Sequence, residues 1–312
     1  MLVVFGSLNI DLMIRVPALP VPGETVLTDD YLLKPGGKGL NQAVAAARAG
    51  AVVAMAGAVG ADPFGAMLLE VLETEGIDRG LVRTVQVPTG CASICVDRHG
   101  ENMIAVAAGA NRLADADAIP SDRFRVGSTF VLQMEVPHVQ NWRLVERTRG
   151  TGARVVLSVA PAAPVPPERL RDVSVLVVNR LEADRVVHDL GLDVALAGDT
   201  PSGVARSITE RTGAVCVITL GSEGAVAAEP GGALWAVGAL DVDPVDTTGA
   251  GDTFTGILAA GLDAGDDLPT SLRRASVGAG LACLSLGAQD SMPRLQGISA
   301  HLGEVAPPRR LA

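Results

Sequence analysis

Lysine, aromatic residues, basic runs and long apolar runs are all scarce in this chain of 312 residues. Of its 25 basic residues only Lys34 and Lys38 are lysines, and 35 acidic residues bring the formal charge to −10. No basic run exceeds two residues. Nucleic acid and anionic membrane surfaces, which need a basic footprint, are therefore excluded as partners. The longest apolar stretch, Ala51 to Ala61, is too short to span a bilayer and is interrupted by glycines. Met1 leads straight into Leu2-Val3-Val4-Phe5 with no charged leader, so a cytoplasmic location is expected. Cys91, Cys95, Cys216 and Cys283 have neither paired metal-site spacing nor the density of a disulfide scaffold, and the four histidines are scattered. One tyrosine and two tryptophans offer little for stacking a nucleobase.

What the chain does have is a regular alternation of short β-rich runs and helical stripes. Val155 to Leu157, Val173 to Val178 and Val215 to Leu220 are continuously apolar, as strands buried on both faces of a parallel sheet must be. Between such runs lie helical patterns: Pro63 to Glu75, with Asp62 as its cap, then Asn179 to Leu190 and Thr200 to Thr212. This predicts an α/β fold, a doubly wound, mostly parallel sheet flanked by helices, with ligands at the strands' carboxyl ends. Residues 11–36 and 88–107 break the pattern with strands and turns only, Val26 to Leu33 in the first, Ala92 to Val96 and Met103 to Ala107 in the second. They are expected to form a small β-sheet lid beside a core made of residues 1–10, 37–87 and 108–312.

Asp246-Thr247-Thr248-Gly249-Ala250-Gly251-Asp252 carries the chemistry. Phe254, Ile257, Leu258 and Leu262 follow at helical spacing, so the glycines sit at a helix start and Asp252 falls in its first turn. Unpaired amides and a positive dipole end attract an anion there, and glycine lets a phosphate approach the backbone. A carboxylate beside an anion hole suits phosphoryl transfer: it takes a proton from an attacking hydroxyl while the amides neutralise the migrating group. A simple acidic helix cap after a glycine turn would look the same in isolation. Two other glycine motifs are excluded. The only Gly-Lys, Gly37-Lys38, is followed by Gly39 and not Ser or Thr, and a dinucleotide fingerprint would need glycine where Phe254 stands.

A second constellation, Gly36-Gly37-Lys38-Gly39-Leu40-Asn41, precedes a helix of small residues, Gln42 to Ala49, ended by Gly50. Its glycines would let a polyhydroxylated ligand reach the backbone, and Lys38 and Asn41 offer directional donors. Upstream, Asn9 and Asp11 share one face of a strand, where an amide and a carboxylate can grip neighbouring hydroxyls or simply serve a turn.

In order along the chain, Gly6-Ser7-Leu8-Asn9-Ile10-Asp11, Pro22-Gly23-Glu24-Thr25, Gly36 to Ala43, Gly100-Glu101-Asn102, Gly109-Ala110-Asn111, Asn179-x-x-Glu182, Thr219-Leu220-Gly221-x-x-Gly224 and Asp246 to Asp252 resemble the motifs of the ribokinase-like (PfkB) carbohydrate kinase family. The likeness spans roughly residues 2–295. It implies an ATP-dependent sugar kinase with Asp252 as base and Gly249, Ala250 and Gly251 as anion hole. The substrate implied first is D-ribose, phosphorylated at its 5-hydroxyl; deoxyribose, fructose, another sugar or a nucleoside are the alternatives within that chemistry. A sugar-binding regulatory protein on the same fold is the alternative outside it. By the same resemblance Asn9, Asp11, Gly37, Lys38, Asn41 and Glu135 hold the sugar, and Asn179, Thr219, Gly221, Gly224 and Gly251 the nucleotide. Glu182 approaches Mg²⁺ through water, and K⁺ is held by oxygens of Asp246, Thr248, Ala282, Ser285, Gly287 and Ser291. Pairing of two copies through the lid is also implied. Two local departures are Ser158-Val159-Ala160-Pro161, where the family has an Asn-Pro-Ala-Pro-like stretch, and Ser276, where an adenine-flanking histidine can occur.

Overall fold

The structure is a computed structural model that describes residues 1–193 and 200–311; residues 194–199 and 312 of the expected core lie outside the described residues. The strands in chain order are β1 (Leu2–Phe5), β2 (Asn9–Arg15), β3 (Tyr31–Gly36), β4 (Val53–Gly60), β5 (Asp78–Val85), β6 (Gly90–Val96) and β7 (Asn102–Ala107). After these come β8 (Thr129–Leu132), β9 (Arg154–Ser158), β10 (Val175–Asn179), β11 (Val215–Thr219), β12 (Ala225–Ala228), β13 (Leu234–Val237) and β14 (Arg309–Leu311). The helices are α1 (Lys38–Arg48), α2 (Pro63–Thr74), α3 (His138–Thr148), α4 (Pro167–Leu170) and α5 (Arg180–Leu190). They continue with α6 (Pro201–Thr212), α7 (Ala250–Ala264), α8 (Leu268–Ala282), α9 (Ala288–Ser291) and α10 (Leu295–His301).

Ten strands form one sheet in the order β14-β13-β12-β11-β10-β9-β8-β1-β4-β5. From β5 to β11 every neighbouring pair is parallel, and β12 to β14 finish the edge antiparallel. Alternation along β1 shows why such strands read as unbroken apolar runs. Leu2 and Val4 face one core with Leu40, Leu258 and Leu272, and Val3 and Phe5 face a second with Leu144, Val186 and Ile208. Helices α1, α2, α7 and α8 cover the first face and α3, α5 and α6 the second, so polar side chains can gather only at the strand ends.

β3-β2-β6-β7 make a separate four-stranded sheet, with β2 and β6 parallel and the outer pairs antiparallel. β6 and β7 fall where the sequence predicts them. β3 does not: it runs from Tyr31 to Gly36, not from Val26 to Leu33, because its register is set by β2, Ile14 facing Tyr31 and Asn9 facing Gly36. Helix α1 likewise starts at Lys38, four residues before the expected Gln42, with Gly37 at φ 90° as its cap and Leu40 N–H bonded to the Ser7 carbonyl at 2.9 Å.

Small residues set how closely α1 lies on α7. A Cβ added at Gly256 would come within 2.5 Å of the Gln42 carbonyl oxygen and 2.8 Å of the Ala45 Cβ, so the crossing exists only with glycine there. This contact lies one turn beyond Asp252 on α7 and brings Asn41 and Gln42 of α1 against it.

Candidate active site

Asp252 is 7% exposed and receives one amide proton on each oxygen. Asn41 Nδ2 donates to Oδ2 at 3.0 Å and Gln42 Nε2 to Oδ1 at 2.9 Å. Gly249, at φ 78°, caps α7 in the left-handed region. Ala250 N–H turns back onto the Thr247 carbonyl at 3.2 Å, while the N–H groups of Gly251 and Asp252 have no backbone acceptor. A Cβ at Gly251 would meet nothing within 4 Å, so the turn is open at that residue. Gly251 is the exposed mouth of the turn and Asp252 its buried wall.

Lys38 opens α1 on the opposite side. Its own N–H donates to Glu135 Oε2 at 3.0 Å, and the same oxygen accepts the Ser7 hydroxyl at 2.6 Å. The charge of Asp252, first, and those of Glu135, Glu182 and Asp11 hold the Lys38 ammonium above its ordinary range against the opposing effect of burial. Asp11 moves up to about 6, pushed by burial and then by Glu135 and Asp252, with Lys38 only partly compensating. Gly36 leaves room for that carboxylate, since a Cβ there would lie 2.2 Å from Asp11 Oδ2.

Asn9 is 3% exposed, and its Oδ1 accepts from Asn111 Nδ2 at 2.7 Å. Asn111 is itself locked by the Leu8 backbone, accepting its N–H at 2.9 Å. The Asn9 amide therefore has a fixed orientation that leaves its NH₂ to donate. It lines a cavity of about 340 Å³ with Met134 and Glu135 beyond the end of β8, Val106 of β7 and Asn111 in the turn after β7. Asp11 opens instead into a cleft of about 660 Å³ shared with Lys34, Asp246, Thr248 and Gly287.

On the far side, Asn179 and Thr219 are register partners at the carboxyl ends of β10 and β11. Asn179 and Glu182 form a reciprocal cap on α5: Glu182 N–H donates to Asn179 Oδ1 at 2.9 Å and Asn179 N–H to Glu182 Oε2 at 2.8 Å. Glu182 is 8% exposed, and burial raises its carboxyl above the usual range although the Asn179 N–H and Lys38 pull the other way. Gly221 turns in open space, whereas Gly224 is needed for packing, its absent Cβ being 2.0 Å from the Val237 carbonyl oxygen.

Three segments meet beside the start of α7. Asp246 Oδ1 accepts Thr248 N–H and Oδ2 accepts Gly287 N–H, both at 2.9 Å, while Val245 N–H reaches the Cys283 carbonyl at 2.8 Å. Burial opposes the Asp246 charge, but these bonds outweigh it and hold the carboxyl below its ordinary range. Ser291 donates its hydroxyl to the Ala288 carbonyl at 2.8 Å. Ala282 ends α8 and Ser285 lies exposed just beyond it, while Asp290 lines the same cleft as Asp246, its Oδ2 3.7 Å from where a Cβ on Gly287 would stand. Among the described residues no three His, Cys, Asp or Glu side chains gather as a metal site.

The sequence did not single out Ser7, Gln42, Asn111 or Gln289 as site residues. Ser7, Gln42 and Asn111 sit inside motifs named above, but a motif does not say which members hold the others. Gln289 carries no local signal, because its partner is distant in sequence.

A buried carboxylate beside unpaired amides of a helix start, at the carboxyl edge of a doubly wound sheet, is an arrangement that suits phosphoryl transfer. A family model, the pfkB family carbohydrate kinases, matches residues 1–295, and the chain belongs to that family. It is similar to the ribokinase of Lactococcus lactis, 33% identical over 97% of each chain. The crystal structure of ribokinase from Thermotoga maritima superposes with a TM-score of 0.88 at 28% identity, covering 97% of this chain and 99% of that one. Arabidopsis thaliana ribokinase, complexed with ribose and ATP, superposes with a TM-score of 0.84 at 29% identity, covering 96% of this chain and 98% of that one.

Proposed function

We propose that the protein transfers the γ-phosphoryl group of ATP to the 5-hydroxyl of D-ribose, giving ribose 5-phosphate and ADP. The observation that carries this reading is the buried Asp252 carboxylate at the head of α7, beside the free N–H groups of Gly251 and Asp252. Asp252 takes the proton of the attacking hydroxyl, and the amides stabilise the charge on the transferred group. Asn9, Asp11, Lys38 and Glu135 hold the sugar's other hydroxyls, with Gly37 allowing close approach and Asn41 dividing its amide between Asp252 and its own sugar contact. Asn179, Thr219 and Gly221 receive the nucleotide. The ribokinase relatives, and the ribose and ATP held by the Arabidopsis protein, support ribose over other sugars.

Mg²⁺ would travel with ATP, and Glu182 suits it: Oε2 is engaged by the Asn179 N–H, leaving Oε1 for a metal-bound water. A hard monovalent cation suits the surroundings of Asp246, whose carboxylate would be joined by oxygens of Thr248, Ala282, Ser285, Gly287 and Ser291. Bound there, K⁺ would supply positive charge near the anion hole. We further read the four-stranded sheet as a lid over the sugar, and as the face through which two copies pair. Tyr31 is 59% exposed and Met103, Ile104 and Val106 are 50%, 53% and 55% exposed, which supports the pairing. No helix among the described residues is long and apolar enough to cross a membrane, and the cytoplasm is where this reaction finds its ATP.

Ribose-dependent ADP release, with and without K⁺, tests the reading, with deoxyribose, fructose, adenosine and pseudouridine as competitors. Asp252→Asn is expected to lower kcat by ~10²–10⁴-fold while ribose still binds. Undiminished turnover in that variant would remove Asp252 as the base.

A further inference from the structure

Behind Asp252 two buried amides follow one another, Asn41 and Gln289, and no sugar or nucleotide contact explains the second. Asn41 gives its Nδ2 to Asp252 and takes on its Oδ1 the Nε2 proton of Gln289, at 3.0 Å. Asn41 is 6% exposed and Gln289 7%. A carboxylate only accepts, so Asn41 must turn its NH₂ towards Asp252 and its carbonyl away. That buried carbonyl then needs a donor, which Gln289 supplies. Were Asn41 to rotate, its oxygen would face the carboxylate and repel it.

Gln289 is held in turn from its backbone. Arg48 Nη1 donates to the Gln289 carbonyl at 2.5 Å and to the Met292 carbonyl at 2.9 Å, satisfying the carbonyls at the end of α9. The rest of the guanidinium is fixed by Glu75, whose carboxyl is held below the usual range first by its hydrogen bond to Arg48. The side chain that orients Asn41 thus rises from a pinned segment.

We propose that Gln289 is a positioning residue for phosphoryl transfer: its bond to Asn41 fixes the direction of that amide and thereby aims the Asp252 carboxylate. The proposal rests on the reading of Asp252 as base. Gln42 reaches the other carboxylate oxygen independently, so loss of Gln289 loosens the base without releasing it.

Gln289→Met keeps the length of the side chain and removes the donor. In the full-length protein it is expected to lower kcat by ~3–10-fold, the weight of one buried hydrogen bond, with the KM for ATP unchanged. The Asp252→Asn/Gln289→Met double variant is expected to have a kcat no lower than that of Asp252→Asn, because Gln289 reaches kcat only through that carboxylate and any effect on the Asn41 sugar contact falls on the ribose KM. A loss that a misfolded or generally weakened protein produces would multiply across the two changes. Multiplying losses, or wild-type kcat in Gln289→Met, overturn the proposal. Wild-type kcat in Asp252→Asn overturns the base reading instead, so the two failures are distinct. Should Gln289→Met not fold, Gln289→Asn, one methylene too short to reach Asn41, supports the same cycle with the same outcomes.

Discussion

Replacing Gly256 by alanine should damage catalysis far more than stability. The added Cβ would lie 2.5 Å from the Gln42 carbonyl oxygen and 2.8 Å from the Ala45 Cβ, and both obstacles belong to the body of α1. No flexible side chain can swing aside, so the helix must retreat by roughly 1 Å to regain contacts of ~3.5 Å. The Asn41 and Gln42 bonds to Asp252 start at 3.0 and 2.9 Å. Such a retreat carries them beyond the ~3.2 Å that N–H···O bonds normally reach. A misplacement of about 1 Å costs on the order of 10²-fold in rate, so kcat for ribose-dependent ADP release should fall by ~30–100-fold. Overpacking costs ~1–3 kcal/mol, and exchanging a helical glycine for alanine returns ~1 kcal/mol, leaving a net loss of ~0–2 kcal/mol. At ~2–4 °C per kcal/mol for a long chain, the melting temperature falls by no more than ~8 °C and the variant is folded in the assay. Gly297→Ala in α10 is the control, since its nearest neighbour would be Pro293 Cβ at 3.8 Å; its kcat should match wild type. A Gly256→Ala protein with wild-type kcat would refute the claim that this crossing sets the base.

Two further predictions concern the small sheet. Asp11, with its carboxyl raised to about 6 from 3.8, binds its proton more tightly folded than unfolded, so its contribution to stability declines as pH rises through that interval and stays low above it. Asp11→Asn should therefore melt higher than wild type at pH 8 and alike below pH ~4, and the ribose KM of wild type should rise as pH falls below 6; a pH-independent melting difference would contradict this. Lys34 Nζ meets Asp290 Oδ2 at 2.6 Å, joining β3 to α9 across the Asp11 cleft, with the two side chains 40% and 58% exposed. Exposed pairs contribute ~0–1 kcal/mol, so Lys34→Met should raise the ribose KM by ~5-fold at most, an effect that 0.5 M salt should abolish in wild type. A salt-resistant effect would point to a different role for Lys34.

Much of this fold was legible because burial on both faces leaves a parallel strand no freedom but to be apolar throughout. The helix at Asp252 was legible because glycine, aspartate and a 3.6-residue stripe mark a helix start locally. β3 was misread for the opposite reason: its limits come from pairing with β2, and Val26 simply continues a loop that passes through Pro17, Pro20, Pro22 and Gly23. α1 begins four residues before its small-residue stripe because backbone contact with Ser7, not helix propensity, determines where it starts. The pairing of Asn41 and Gln42 with Asp252 was not legible for a related reason. Asn41 and Asp252 are 211 residues apart, and Asn41 and Gln289 are 248 apart, so their pairing exists only once three helices have packed.

The charges of the site follow from that same packing. The starts of α1 and α7 bring Lys38 and Asp252 close enough that Asp252 is the leading influence on the lysine, with Asp11, Glu135 and Glu182 around them. Four carboxylates facing one ammonium would be unstable in an enclosed core, and part of the strain is visible in the raised Asp11. Two positive helix ends and the donors of Asn9, Asn41 and Gln42 compensate the rest. The outcome is a set of carboxylate acceptors, Asp11 and Glu135, around the start of α1 and of backbone donors at the start of α7. A neutral polyol suits the acceptor side because it donates hydroxyl protons without adding charge, whereas a sugar acid would face Asp11 and Glu135 directly. On the proposed function the triphosphate sits at the donor side, where Gly251 is open. Selectivity for a neutral sugar and an anionic phosphate donor would then rest on the same arrangement that holds Asp252 in place, and a change that moves α1 should weaken both together.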